Sequence, residues 1–137
     1  IPGKVLLSLE LRDLDAQKQA MLFEKIRVEA TAIGTATGTT FAFASTHDSA
    51  PALCDQRVQQ AVERSAKGLT LTSRRMPSGA GHDAQHMATL CPSGMIFIPS
   101  VGGISHSPKE FSHAKDITNG ANVLLATILD LDAAQWT

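Results

Sequence analysis

The chain has 137 residues, of which 43% are hydrophobic, so it is long and apolar enough to bury one domain-sized core. Twelve basic and 13 acidic residues leave a formal net charge of −1, with the two signs interspersed along the chain. That balance excludes the electrostatic footprint of a nucleic-acid or anionic-membrane binder and favours small, weakly charged ligands or other proteins.

The chain opens on "IPGKVLLSLELRD", without an initiator Met and directly on a patterned strand, as an interior piece of a longer polypeptide would. Over 4–12 the residues Val5, Leu7, Leu9 and Leu11 alternate with Lys4, Ser8, Glu10 and Arg12, the period of a strand with one buried and one polar face. Asp13 is placed to cap a helix running to about Ile33, with Leu22, Ile26, Ala30 and Ile33 as its apolar stripe and Gly34 as its stop. "GTATGT" reads as a turn, and 39–45 alternates again around Phe41 and Phe43. "STHDSAP" breaks the pattern, which sets a domain boundary near residue 48.

Beyond it, Asp55 and Gly68 frame a second helix with Val58, Ala61 and Val62 inward. Leu69 and Leu71 alternate with Thr70 and Thr72 in a short strand, and "PSGAG" leads into a helix over about 83–90. The apolar run 95–98 suits a strand covered on both faces. A Gly- and Ser-rich loop follows, then a helix from about Asp116 or Thr118 to Leu131 that packs Val123, Leu124, Ile128 and Leu131. Strands alternating with helices predict an α/β layer architecture in this second part, and a smaller α+β unit in the first. No apolar stretch is long enough to span a bilayer and no signal-peptide layout is present, so a soluble, cytoplasmic protein is the expectation. Cys54 and Cys91 lack the spacing of a zinc or redox motif and read as free thiols.

Two glycine-framed histidines, His82 in "SGAGHDA" and His106 in "GGISHSPKE", follow predicted strands, where ligands collect in open α/β sheets. Gly79 and Gly81 would let the backbone approach a carbonyl oxygen or oxyanion, and His82 would donate to the same oxygen. Taken alone, "GAGHD" reads rather as a helix start with a histidine in its capping region. His106 is a reasonable metal donor because neutral imidazole is a common protein ligand, yet one histidine does not make a metal site, and by itself it reads as a solvated loop residue. Glu110 is placed to orient that imidazole or to stand in solvent. Arg12 either grips a substrate carboxylate with two parallel hydrogen bonds or pairs with Glu10 on the same strand face. His47, His86 and His113 receive no role.

Read together, "IPGKVLLSLELRD", "SGAGHDA" and "GISHSPKE" resemble the di-metal amidohydrolases that include N-carbamoyl-L-amino acid hydrolase, allantoate amidohydrolase and β-ureidopropionase. The likeness is colinear over nearly the whole chain, with His82 and His106 at the family's spacing of 24 positions. It implies residues 1–48 as the second half of a ferredoxin-like lid and dimerisation domain, and 49–137 as the C-terminal segment of a metallopeptidase-like catalytic domain. It implies His106 as a metal ligand, Gly81 and His82 as contacts to the substrate and its tetrahedral intermediate, with His82 catalytic, and Arg12 as the clamp on the substrate carboxylate. The family's "D-I-R-D" motif reads "E-L-R-D" here, with the arginine intact.

The cofactors implied are two divalent ions, zinc, manganese, cobalt or nickel, for which this chain supplies one ligand. The family's His-x-Asp pair, Glu-Glu pair and further histidine belong to an N-terminal part outside these residues. The expected whole is a homodimeric hydrolase of ureido or amide substrates that carry a carboxylate, inactive as this piece alone. The alternative is a non-catalytic dimerisation or interaction module derived from that family.

Overall fold

The computed structural model describes residues 2–46 and 49–134, so His47 and Asp48 at the expected boundary lie outside the described residues. The chain divides into two compact units, one formed by Ile1–Ala52 with Pro77–Gly81 and the other by Leu53–Met76 with His82–Thr137.

In the first unit, helix α1 spans Ala16–Thr37. Its N-cap is Asp15, two residues after the expected Asp13, because the Asp15 carboxylate accepts from the Gln17 and Lys18 amides. Asp13 instead accepts from the Asp15 amide and pairs with Lys18 at 2.5 Å, which lowers its pKa below the usual carboxylate range. Gly34 does not stop the helix. The left-handed turn comes at Gly38, φ 70°, whose amide donates to the Gly34 carbonyl. The chain then folds back so closely that a Cβ at Gly34 would lie 2.5 Å from the Thr39 carbonyl oxygen. Gly34 is thus a contact glycine inside the helix, and the sequence "GTAT" continues the helix because nothing in it forces positive φ.

α1 buries only Ala30 and Gly34. Phe23 meets Phe43 edge to face at 5.7 Å, but Leu22 and Ile33 of the expected stripe stay largely exposed. The segments 4–12 and 39–45, expected as strands, join no ladder among the described residues. Alternation gives a segment two faces, whereas a strand also needs a neighbour for its amides and carbonyls. With Leu7 79% exposed and Val5 and Leu9 also uncovered, the apolar face of 4–12 has no such neighbour here.

The second unit is built on two packed helices, α2 (Gln56–Gly68) and α4 (Ala114–Ala133). α2 has the expected start: Asp55 caps it through the amides of Arg57 and Val58. Ala61 is fully buried and Ala66 nearly so, against Val123 and Thr127 of the same core. Small residues let the backbones close up. A Cβ at Gly94 would lie 2.5 Å from Val58 Cγ1, and one at Gly120 of α4 2.5 Å from Ile98 Cγ2. Arg64 and Asp130 add an ion pair between the helices at 2.6 Å.

Other expectations need correction. α2 ends at Gly68, but the left-handed residue after it is Thr70, φ 58°, with the Leu71 amide on the Ala66 carbonyl and the Thr70 amide on the Lys67 carbonyl, the double closure of a Schellman motif. That conformation is incompatible with a strand at 69–72, and 95–98 likewise joins no ladder among the described residues. α3 is one turn, Ala84–Met87, rather than a helix to Leu90. α4 starts earlier than expected, at Ala114 after His113, and of the named stripe Val123 is buried while Leu124 and Ile128 face outward. No helix among the described residues is long and apolar enough to cross a membrane, and both cysteines are free thiols.

Candidate functional site

The predicted site residues fall into two sets, each within one unit: Arg12 with Gly79 and Gly81 in the first, His82 with His106 in the second.

Arg12 sits at the end of the alternating segment, before the Asp13–Lys18 pair that leads into α1. Each nitrogen of its guanidinium makes a hydrogen bond: Nε donates to Glu10 Oε1 at 2.7 Å, Nη2 donates to the same oxygen, and Nη1 donates to the Gly79 carbonyl oxygen. The Glu10 pairing weighed against a substrate clamp is therefore present. The same contacts show what the guanidinium can hold, since it grips a carboxylate along one edge and a loop carbonyl along the other. Both side chains of the ion pair are more than half exposed, so the pair is readily exchanged for another carboxylate. Gly79 has open space where a Cβ would be and takes no positive φ, so its carbonyl, rather than a glycine-only conformation, is its contribution.

His82 is half-buried, with its ring edge-on to Phe97 at 5.6 Å. Its amide donates to Gln85 Oε1 at 3.2 Å and so is not directed at a ligand. Gln85 in turn donates its own amide to the His82 carbonyl at 2.9 Å, so backbone and side chain of Gln85 both hold the His82 main chain. Sequence reasoning missed Gln85 and Phe97 as the residues that hold His82.

His106 stands in the loop 100–111, whose ends are tied by the Val101 amide on the Phe111 carbonyl at 2.8 Å. Gly102 and Gly103 take φ of 67° and 68°, which turns the chain sharply at the loop's first corner. His106 is itself left-handed, φ 53°, an uncommon conformation for a residue with a Cβ. The Glu110 carboxylate, weighed as a support for the imidazole or a solvated group, bonds the His106 main chain instead. Its Oε2 accepts from the His106 amide at 2.8 Å. The exposed imidazole has no hydrogen-bond partner among the described residues, and its nitrogen lone pair is available as a donor to a metal ion. Among the described residues no three His, Cys, Asp or Glu side chains converge on one point, so His106 by itself does not make a metal site.

The sequence profile of Peptidase family M20/M25/M40 matches residues 8–130, nearly the whole chain. The chain belongs to this family. It is 40% identical over 131 residues to N-carbamoyl-L-amino acid amidohydrolase of Geobacillus stearothermophilus, covering 96% of this chain and 32% of that protein. Against ureidoglycolate hydrolase of Oryza sativa subsp. japonica it is 38% identical over 125 residues, 90% of this chain and 26% of the relative. The crystal structure of an amidase of the hydantoinase/carbamoylase family from Burkholderia multivorans superposes with a TM-score of 0.80 at 31% identity, over 90% of this chain and 30% of that one. The chain thus has the fold of part of an M20-type enzyme and spans about a third of the length of the curated relatives it matches.

Proposed function

We propose that this chain acts within a metal-dependent hydrolase that cleaves the C–N bond of linear ureido or amide compounds bearing a carboxylate, of the N-carbamoyl-L-amino acid or allantoate type. Residues 1–48 are then the second half of a ferredoxin-like lid through which the enzyme forms a homodimer, and 49–137 the closing segment of the catalytic domain of a cytoplasmic protein. The observation that carries the reading is His106: a motif histidine held at positive φ in a tied loop, with its imidazole unbonded. A strained backbone at an exposed histidine is best accounted for by what the side chain must reach.

In this reading His106 supplies one ligand to a pair of divalent ions, zinc, manganese, cobalt or nickel, and the other ligands lie outside the described residues. When bound, such ions lower the pKa of water far below its bulk value, toward about 7, and so supply a hydroxide at neutral pH. The chain's own residues do the rest of the work assigned to them. Arg12 releases Glu10 and takes the substrate carboxylate with two parallel hydrogen bonds. His82, steadied by Phe97, donates to the oxygen on which negative charge develops, a contribution of about 3 to 4 kcal/mol for a well-placed donor. Gly81 keeps the backbone beside His82 slim enough for close approach.

Two substitutions in the intact enzyme test this. His106→Ala is expected to lower bound metal, read by elemental analysis, together with kcat. Arg12→Ala should raise KM for carboxylate substrates about 10-fold to 100-fold, the loss of a charged hydrogen-bonded pair, and should leave metal content unchanged. Full metal occupancy in His106→Ala would sink the reading. A second reading, a non-catalytic interaction module, is favoured by the exposure of Val5, Leu6 and Leu7, with Leu6 91% exposed. It predicts that neither substitution alters metal binding.

A further inference from the structure

The loop that carries His106 is closed by two interactions that meet on one residue. Ser107 and Glu110 bracket a turn in which the Glu110 amide donates to the Ser107 carbonyl at 2.9 Å, with Pro108 at its second position and the Lys109 amide on Ser107 Oγ at 3.2 Å. From the end of that turn the Glu110 side chain reaches back, and its Oε2 accepts from the His106 amide at 2.8 Å. An amide in an exposed loop is satisfied by water at little cost, so this bond is not needed to pair the group. What it does is fix the peptide plane before His106, and with it the left-handed φ of 53° that sets where Cβ and the imidazole point.

We propose that Glu110 is a positioning residue: by accepting from the His106 amide, its carboxylate fixes the direction in which His106 presents its imidazole to a metal ion. The proposal rests on the reading of His106 as a ligand and adds to it the device that aims the ring. Two further contacts make the loop a stiff frame for this bond. Ser100 Oγ donates to the Ile104 carbonyl at 2.5 Å, and the Val101 amide joins the loop's ends through Phe111. The essential property of Glu110 is reach, an acceptor oxygen at the right distance, rather than negative charge near the metal.

Reach and charge separate in two variants. Glu110→Gln keeps the chain length and an acceptor oxygen but loses the charge, whereas Glu110→Asp keeps the charge and loses the reach. In the intact enzyme loaded with cobalt(II), the cobalt dissociation constant and the visible absorption spectrum report the ligand geometry, and hydrogen exchange reports the His106 amide. Glu110→Ala and Glu110→Asp are expected to weaken cobalt binding about 10-fold, to alter the spectrum and to deprotect the amide, while Glu110→Gln stays close to the parent enzyme. The reverse order, with Asp close to the parent and Gln impaired, overturns the proposal. So does an unchanged spectrum and affinity in Glu110→Ala where His106→Ala loses cobalt, an outcome that leaves His106 as a ligand. If His106→Ala itself binds cobalt normally, the ligand reading fails and the positioning role falls with it.

Discussion

Thr70 and His106 are both non-glycine residues at positive φ, 58° and 53°, but they hold that conformation for different reasons. Thr70 closes helix α2: its amide and that of Leu71 satisfy two carbonyls of the last turn, and any residue able to turn left-handed would do the same. His106 closes no helix. Its conformation is held by an acidic side chain four positions on, and it carries an unbonded imidazole. The comparison shows how to tell strain kept for the backbone from strain kept for a side chain. In the first case glycine is an improvement, and in the second it removes the purpose.

Three measurements break or sharpen that contrast. His106→Gly should have the largest effect: loss of metal in the intact enzyme well beyond the 10-fold expected of Glu110 variants, with thermal stability unchanged or raised. A fall in stability comparable to a core substitution would place His106 on the structural side. Thr70→Gly should stabilise the protein by roughly 0.5 kcal/mol, because about 1 to 2 kcal/mol of left-handed strain is relieved and about 0.5 to 1 kcal/mol is returned through glycine's freedom in the unfolded chain. Metal content should not change, and a lowered unfolding midpoint would show that the threonine side chain is needed there.

The smallest effect belongs to the other end of the same helix. The Arg57 guanidinium, with the amides of Arg57 and Val58, holds the Asp55 carboxyl below the usual carboxylate range. A carboxyl lowered in the folded state stabilises fully above its unfolded pKa and loses that contribution as pH falls through the lowered folded value. The contribution to helix stability, followed by circular dichroism, should therefore be full above the ordinary aspartate range, begin to fall within it and be lost as pH drops through the lowered value. Asp55→Asn should flatten that part of the profile, and an unaltered acid decline in the variant would remove Asp55 from the cause.

Helix α2 was legible at both ends because its signals are local: a carboxylate capping two amides and a stop within one turn of Gly68. α1 was misjudged at its end for an equally local reason. Gly34 carries no information on whether its missing Cβ serves a turn or a contact, and here the contact is with Thr39, a residue beyond the helix. The four expected strands were the larger difference. Their alternation is real, but pairing depends on a neighbouring strand, and none is joined to them among the described residues. Of the candidate site, residue identities could be read, but not their partners. That Arg12 would meet the Gly79 carbonyl, 67 positions on, or that Gln85 and Phe97 would secure His82, depends on how the chain returns on itself.

By itself the sequence determined where the helices lie, the cap of α2, and three ordered motifs sufficient for a family resemblance, because each of these is written in residues a few positions apart. Tertiary structure decided which apolar faces are covered, which glycines are contacts, and which atom of His106 the Glu110 carboxylate holds. These depend on backbone direction and on the approach of distant segments, and neither is encoded in the spacing of residue types.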